Sequence, residues 1–450
     1  MTKPRRIVLF DETGLSAERI KALRISIWAI AFGAVSFNIT GGIAMTGYLK
    51  ELGVSDFVFG LLIAVSPAAS TLQILVSYFL ERTRKRKAIF LVGGLIQRLV
   101  WLPFGLVPFI VPIEAPVLRI WMVSLLLITA SASNQCLTMS YNSLLADIIP
   151  GRIRGSYLST KSRISTVAGI LGGFLTAWLL ERFPGFNGYA LVFGLATLIG
   201  CVDILMFINV EFPPMPVAAK KDSLLYMLRG VVKNKKLLGL VGFFAIWNFS
   251  LNLSVPFYLV YIRVNLGMSN GVITMIAQIL PNICSVVILS RWGRMLDRRG
   301  MKQVLGRSGK LFSLSLLLWV FVTPGVFSYV LIVLVYMARG LLFAGTDISS
   351  QNAILSRSPE RNRSMFIAIY HCVTTLFGIA LANVTAGWLL DNPLAALEKM
   401  NVSIFGVLLS RYNYLFLLTF ILCMITIFLL LPKMIDTTDD PPHVWPPQAK

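Results

Sequence analysis

Amide side chains recur at one-turn spacing inside long apolar stretches of this sequence. Asn248 and Asn252 are four residues apart, and Gln278 and Asn282 repeat that spacing in the next stretch. Residues four apart share one face of a helix. Because an amide both donates and accepts hydrogen bonds, each face could bind a polar solute, or it could link neighbouring helices within lipid.

Further polar and aromatic candidates lie in the middle of apolar stretches. They are Asn38, Asn134, Gln135, Trp247 and Gln351. Trp247 directly precedes Asn248, and an indole face can stack on a sugar ring beside the amides. Helix linking stays an open alternative for each single amide, whereas the set as a whole predicts a polar binding surface.

Three ionisable side chains also stand out, because charge in the middle of an apolar helix costs about 2.5–3.5 kcal/mol. Arg339 lies near mid-span, so we expect its guanidinium to face a cavity or a buried acceptor. Asp347 is interpreted as the only carboxylate well inside a span, and His371 lies at similar depth on the following span. These two could carry a proton, or they could form a wetted structural contact; both interpretations stay open.

The elements that hold these residues are predicted to be membrane-spanning helices. The chain is 56% hydrophobic and 14% charged, against roughly 25% charged in soluble domains. Its apolar stretches reach or approach the ~20 residues that a helix needs to cross a bilayer. We therefore predict an all-α polytopic membrane protein with twelve spans, near residues 25–49, 57–80, 88–111, 117–143, 158–180, 188–210, 238–262, 271–290, 303–323, 328–355, 364–388 and 413–432.

The formal net charge of +21 is unevenly distributed along the chain. With the N-terminus inside, 33 of the 41 Lys and Arg residues lie on the inner side of the predicted spans and 6 on the outer side. This is the positive-inside pattern. It predicts a multi-pass protein of the cell membrane with both termini in the cytoplasm, and it argues against a nucleic-acid partner. The expected partners are the lipid bilayer and a small-molecule substrate, and a monomer is expected.

Residues typical of enzymes are scarce. The chain has two histidines, His371 and His443, and no phosphate-binding loop or metal-ligand spacing. All five cysteines fall inside predicted spans, which predicts buried thiols and no disulfide framework. We therefore predict no catalytic residues, no cofactor and no metal. The loops are also too short for the signalling domain of a receptor.

Six predicted spans precede the longest inner loop and six follow it. The predicted organisation is a cytoplasmic segment 1–24, a six-helix bundle 25–210, a cytoplasmic linker 211–237, a second six-helix bundle 238–432 and a disordered tail 433–450. Within the linker, Ser223–Val232 can form a short amphipathic helix.

The two halves also resemble each other in sequence. Trp178-Leu-Leu-Glu181 recurs as Trp388-Leu-Leu-Asp391, 210 residues later. Similar loops follow the fourth and tenth spans. We therefore predict one six-helix unit that occurs twice in parallel orientation, and we expect these pairs to superpose: Asn142 with Asn352, and Arg154 with Arg363.

The loop between the eighth and ninth spans carries a family motif. Gly293-Arg-Met-Leu-Asp297-Arg298-Arg-Gly300-Met-Lys302 fits Gly-x-x-x-Asp-Arg-x-Gly-x-Lys/Arg at every fixed position. Glycines in such a turn permit close approach and positive φ. The first-half loop keeps Glu81 and Arg82 but has Ser77 and Arg84 in place of the glycines. With the twelve spans and the repeat, the chain resembles the major facilitator superfamily of transporters over about 25–432.

The resemblance implies a cavity lined mainly by spans one, four, seven and ten, with alternating access to the two sides. It implies a cytoplasmic gate formed by Glu81, Arg82, Gly293, Asp297, Arg298 and Gly300. Many of the polar candidates then fall on spans that turn inward. Arg98 falls on a peripheral span, for which a structural role is expected.

An amide-rich and carboxylate-poor cavity favours a neutral polar solute such as a sugar or glycoside, with proton coupling through Asp347 and His371 left open. The alternative is a multidrug or lipophile exporter of the same superfamily. Such exporters often carry Gly-Pro in the fifth span, and the corresponding stretch Ala168–Gly173 lacks it.

Overall fold

The computed structural model describes residues 16–83, 85–149, 154–212, 235–357, 363–404 and 407–433. The predicted linker helix Ser223–Val232 and nearly all of the predicted tail lie outside these residues. So do residues 1–15 of the predicted N-terminal segment.

Twelve helices in the described part of the chain are long and apolar enough to cross a membrane, which confirms the predicted all-α polytopic fold. They are α1 Ala17–Glu51, α2 Asp56–Leu80, α3 Arg86–Ile110, α4 Pro116–Leu145, α5 Thr160–Arg182, α6 Phe186–Leu205, α7 Leu238–Asn265, α8 Asn270–Leu296, α9 Arg298–Phe321, α10 Val326–Ile354, α11 Ile369–Glu398 and α12 Arg411–Leu430. Two antiparallel strands, β1 (Ser403–Ile404) and β2 (Val407–Leu408), lie between α11 and α12. Helices suit lipid because each satisfies its own backbone hydrogen bonds.

The long helices depart from regular α-helical geometry in two ways, at a glycine with positive φ and at π-helical turns. Gly300, the second glycine of the family motif, has the positive φ that was expected, 77°, and this non-helical residue kinks the chain near the start of α9. The side chains of Glu81 and Asp297 in the two motif loops lie outside the described residues. Five π-helical turns interrupt α7, α8, α10, α11 and α12, at Tyr261–Asn265, Met275–Ile279, Arg339–Phe343, Thr374–Ala380 and Thr426–Leu430.

The chain forms two compact units that differ from the predicted bundles in two short segments. The first unit contains the described residues of Met1–Val54, Ala68–Ala219 and Met268–Thr274. The second contains those of Ser55–Pro67, Lys220–Gly267 and Met275–Lys450. The start of α2 therefore belongs with the second half of the sequence, and the start of α8 belongs with the first half.

A buried ion pair lies in the core of the first unit. Arg98 on α3 and Asp203 on α6 approach to 2.6 Å, and their side chains are 7% and 11% exposed. Glycines make room for this pair. A Cβ at Gly200 would lie 2.4 Å from Arg98 Cδ, and one at Gly33 would lie 2.7 Å from Asp203 Oδ2. The pairing supports the structural role expected for Arg98.

The core of the second unit is held by side-chain hydrogen bonds from α12 to α7 and α9. Ser254 on α7 and Thr419 on α12 are 2.5 Å apart. The fully buried amide nitrogen of Asn413 lies 3.1–3.3 Å from the carbonyl oxygens of Trp319, Val320 and Val322 at the end of α9. These bonds bring a side-chain donor to carbonyls in the last turn of α9, where few backbone amides remain to pair with them. They also fix the position of Trp319, which lines the candidate site.

Candidate solute-binding site

A cavity of about 100 Å³ lies inside the second unit, between α7, α9 and α10. An engineered apolar cavity of about 150 Å³ holds benzene, so this space accepts a group of a few heavy atoms. None of the described residues that line it carries a carboxylate. The lining residues are Asn248, Leu251, Asn252, Val255, Tyr258, Phe312, Leu316, Trp319, Val335, Tyr336, Arg339 and Phe343.

Arg339 provides the positive charge of this cavity. It begins the π-helical turn Arg339–Phe343 of α10, and such turns often mark functional sites. Trp292 Nε1 donates to the carbonyl oxygen of Leu341 within the turn at 2.7 Å. Gly340 packs so closely on α8 that a Cβ there would lie 2.4 Å from the Pro281 carbonyl oxygen. These contacts hold the turn that carries Arg339.

The guanidinium of Arg339 has no hydrogen-bond acceptor or ion-pair partner among the residues that the structure describes. The hydroxyl-bearing side chains of Tyr258 and Tyr336 line the cavity together with Arg339. A guanidinium has five N–H donors in a planar fork. The cavity therefore presents unused donor capacity to whatever enters it.

Asn248 and Asn252 bring amides to the same cavity from α7. Asn248 Nδ2 donates to the Phe244 carbonyl oxygen at 2.8 Å, and Asn252 Nδ2 donates to the Asn248 carbonyl oxygen at 2.8 Å. Within the described part of the chain, neither side-chain oxygen receives a hydrogen bond. A Cβ at Gly378 on α11 would lie 2.8 Å from Asn248 Cβ, so close helix packing fixes this amide.

Aromatic rings give the cavity an apolar wall in addition to its polar groups. Tyr258 and Trp319 stack with their centroids 4.3 Å apart and their planes 7° apart, and Phe416 packs 5.0 Å from Tyr258. Trp319 also meets Tyr336 edge-on at 6.0 Å. A flat ring in the cavity can pack on this rigid wall, since aromatic pairs favour offset-stacked and edge-to-face contacts.

Trp247 does not take the position beside the amides that the sequence predicted for it. Its side chain is 3% exposed, and Gly309 of α9 lies close enough that a Cβ there would be 3.7 Å from Trp247 Cη2. Residues 247 and 248 point about 100° apart on a helix, so Asn248 faces the cavity while Trp247 packs in the core. Trp319 supplies the tryptophan of the site instead.

Gln278, Asn282 and Gln351 do not line the cavity either. Asn282 Nδ2 donates to the Gln278 carbonyl oxygen at 2.7 Å, and the Asn282 side chain is exposed. Gln351 Nε2 donates to Asp347 Oδ2 at 2.8 Å. No described residue of α8 is among the residues that line the cavity.

Asp347 and His371 are both exposed, on α10 and α11. In the described residues they share no hydrogen bond and no ion pair. Asp347 instead accepts a hydrogen bond from Gln351. Any exchange of protons between Asp347 and His371 would therefore need an intervening group.

The polar candidates of the first unit make helix-to-helix or local contacts. Gln73 Nε2 on α2 donates to Gln135 Oε1 on α4 at 2.8 Å, which is the helix-linking role that the sequence left open. Asn38 Nδ2 donates to the Ala34 carbonyl oxygen at 2.9 Å, and Gly169 of α5 packs against it. Asn134 is half-buried and neighbours Gln135.

Sequence reasoning missed two sets of charged groups inside or at the ends of spans. Asp203 is 8% exposed within α6, so Asp347 is not the only carboxylate in a span. Asp56 at the start of α2 is 1% exposed and pairs with Arg411 at 3.2 Å. The position of Arg98 inside a span could have indicated the Asp203 partner, because a buried guanidinium is usually paired with a carboxylate. Nothing in the sequence pairs residues 56 and 411.

A family model of the Major Facilitator Superfamily matches residues 26–305 and 249–450, and thus nearly the whole chain. The chain belongs to the Major Facilitator Superfamily. It is a multi-pass membrane transporter of that superfamily, not an enzyme, and the predicted resemblance is confirmed.

Solved transporters of the Major Facilitator Superfamily have the same fold. A mutant form of the nucleoside transporter NupG superposes with a TM-score of 0.69 at 16% identity and covers 92% of this chain and 100% of its own. A bacterial homologue of the iron transporter ferroportin gives 0.70 at 12% identity, covering 94% and 99%. A D-xylose-proton symporter gives 0.63 at 12% identity, covering 91% and 96%. A search of curated proteins finds no relative.

Proposed function

We propose that this transporter moves a small polar organic solute of the sugar or glycoside kind by alternating access across the cell membrane, with both termini cytoplasmic. One end of the solute enters the cavity between α7, α9 and α10. The observation that carries the proposal is the combination of Asn248, Asn252 and Arg339 with the stacked rings of Tyr258 and Trp319 around one space.

This combination suits a ring that bears hydroxyl groups. The amide oxygens of Asn248 and Asn252 accept hydrogen bonds from hydroxyls, and Arg339 donates to oxygen acceptors. The apolar face of a sugar ring or an aglycone packs on the aromatic wall. A xylose transporter is among the structures of similar fold, and at 12% identity it supports the fold alone.

An exporter of lipophilic compounds is the second candidate. Six of the lining residues are purely apolar, namely Leu251, Val255, Phe312, Leu316, Val335 and Phe343. They would hold the apolar part of an amphipathic compound as well as an aglycone. The deciding experiment is uptake and efflux in proteoliposomes with labelled sugars and glycosides, glucuronides included, and with cationic dyes. Movement of glycosides alone supports the first candidate, and movement of dyes alone overturns it.

Proton coupling through Asp347 forms part of the proposal. An Asp347→Asn variant should lose accumulation driven by a pH gradient while solute counterflow survives, because an amide cannot carry the proton but leaves the cavity intact. Gln351→Ala is the matched control, since it removes the donor to Asp347 and keeps the carboxylate. His371→Gln should shift the pH dependence of transport without abolishing it. Gradient-driven accumulation that persists in Asp347→Asn would reject this role.

A further inference from the structure

We infer that the transported solute carries an acid group, which Arg339 binds as a carboxylate or other oxyanion. The inference rests on the proposed function and replaces the expectation of a neutral solute. That expectation came from the amides, whereas the charge of the assembled cavity decides the matter. No lining residue is acidic, and the nearest carboxylate along α10, Asp347, is eight residues or about 12 Å of helix away.

Arg339 is half-buried, and a neutral solute would leave its charge without a counter-ion in the cavity. Arginine stays protonated at any physiological pH, so the site cannot relieve the cost by losing a proton. A carboxylate accepts two parallel bonds from the guanidinium fork, and these are the stronger class of hydrogen bond. Asn248 and Asn252 then form hydrogen bonds with the hydroxyl groups next to the acid group.

The size of the cavity agrees with binding of the acid end of the solute by Arg339 and of the nearby hydroxyls by Asn248 and Asn252. About 100 Å³ holds a carboxylate with the atoms around it, not a whole glycoside. A sugar acid or an aryl sugar acid would therefore place its acid end here, with the rest of the molecule outside the cavity. The class predicted is a hydroxylated organic acid.

Matched pairs of ligands test this inference on the purified protein. The pairs are glucuronate with glucose, phenyl glucuronide with phenyl glucoside, and benzoate with benzyl alcohol. Thermal stabilisation and calorimetry should show about 10- to 100-fold tighter binding of the acid in at least one pair, the effect expected for hydrogen bonds to a charged group. Arg339→Gln should remove that preference, and Arg339→Lys should retain part of it.

The outcomes separate the two levels of the proposal. Binding of the neutral member as tightly as the acid, or an acid preference that persists in Arg339→Gln, overturns the acid group and leaves the sugar class standing. Binding of benzoate without any sugar supports the acid group and overturns the sugar class. Binding of no member of any pair overturns both.

A second inference concerns the starts of α2 and α8, which repeat one pattern. Ser55-Asp-Phe-Val58 and Ser269-Asn-Gly-Val272 are 214 residues apart. Ser55 Oγ accepts from the Val58 amide at 3.3 Å, and Ser269 Oγ accepts from the Val272 amide at 3.4 Å. The two helices therefore begin with the same serine cap.

A carboxylate from another helix completes each start. At α2 this carboxylate is Asp391 of α11, which accepts hydrogen bonds from the amides of Asp56 at 3.2 Å and Phe57 at 2.7 Å; we call it the α2 cap. At α8 it is Glu181 of α5, which accepts a hydrogen bond from the amide of Gly271 at 3.0 Å; we call it the α8 cap. Asp391 and Glu181 occupy matching positions in the sequence repeat. A negative charge at a helix N-terminus is favourable because it meets the positive end of the helix dipole.

The α2 cap has additional support. Buried Asp56 accepts from the Tyr412 hydroxyl at 3.0 Å and pairs with Arg411, which also lies 3.7 Å from Asp391. Gly387 permits this approach, since a Cβ there would lie 2.4 Å from the Asp56 carbonyl oxygen. We propose that the two caps are paired latches. They stabilise the conformation in which the start of α2 packs on α11 and the start of α8 packs on α5, and they open during the transport cycle.

Cysteine labelling tests the latches on purified protein in nanodiscs. Ala64 is 5% exposed and lies one turn beyond Gly60, which packs on the Asn383 carbonyl oxygen of α11. In Ala64→Cys, the double change Asp391→Asn with Glu181→Gln should speed maleimide labelling about 3- to 10-fold, the sum of two dipole contacts. The chain without Ala64→Cys gives the background of its five native cysteines.

The matched control for the latches is Glu398→Gln. Glu398 Oε1 accepts from the Arg411 amide at 3.2 Å, so it caps α12 and not α2 or α8. Labelling should stay at the native rate in this variant. An unchanged or slower rate in the double variant, measured on monodisperse protein, would overturn the latch.

Discussion

Replacing Arg339 by alanine should lower kcat/KM for solute transport about 10- to 100-fold while the protein remains folded. The loss corresponds to the hydrogen bonds that a charged donor gives to the solute. Stability should not fall, because the guanidinium has no acceptor in the described part of the protein, and its removal relieves the cost of a charge at mid-span. Initial uptake rates and the thermal midpoint, measured on the same preparations, separate the two effects.

Trp247→Phe is the matched control for Arg339→Ala. Trp247 lies next to Asn248 in sequence but packs near Gly309, away from the cavity lining. The transport rate of the Trp247→Phe variant should remain within a few-fold of the native value. Equal losses in the two variants would mean that the cavity is not where the solute binds.

The second large effect concerns stability. Asp203→Asn should destabilise the protein by about 3–5 kcal/mol, because Arg98 would keep its charge and lose its ionised partner in the interior. The measurement is the thermal midpoint of the purified protein, together with the yield of folded protein from membranes. Arg98→Met combined with Asp203→Leu should recover most of the loss, since apolar groups of similar volume can replace a buried pair.

Asp147→Asn provides the comparison for Asp203→Asn. Asp147 pairs with Arg86, its side chain is 31% exposed, and Arg86 keeps a second bond to Ser143 at 3.0 Å. The loss should therefore be smaller. If Asp203→Asn melts at the native temperature, Arg98 and Asp203 do not support the core as the structure indicates.

The sequence predicted the helices well because hydropathy reports directly on lipid. The length of each apolar stretch, the side on which Lys and Arg collect, and the motif around Gly300 are all local properties. Each can be read without knowing which helices touch. The repeat of Trp178–Glu181 as Trp388–Asp391 is equally local, although its consequence, two caps on other helices, becomes visible only in three dimensions.

The site could be predicted in part, and the failures have a common cause. Asn248, Asn252 and Arg339, which line one cavity, could be singled out because polar groups at membrane depth are rare and costly. Trp247, Gln278 and Asn282 do not line this cavity, because depth does not fix the direction in which a helix face points. Trp319 was missed because an aromatic residue in an apolar span gives no signal until Asn413 and Tyr258 are seen to fix it.

Solute counterflow in proteoliposomes is the most direct measurement of the central claim, that the cavity at Arg339 binds the solute that is transported. Vesicles loaded with phenyl glucuronide and diluted into the labelled compound should accumulate label transiently with the native chain. Arg339→Gln should not accumulate it, and phenyl glucoside should compete weakly or not at all. Equal counterflow by the native chain and Arg339→Gln would contradict the claim, as would an absence of counterflow for every sugar acid and glycoside tested.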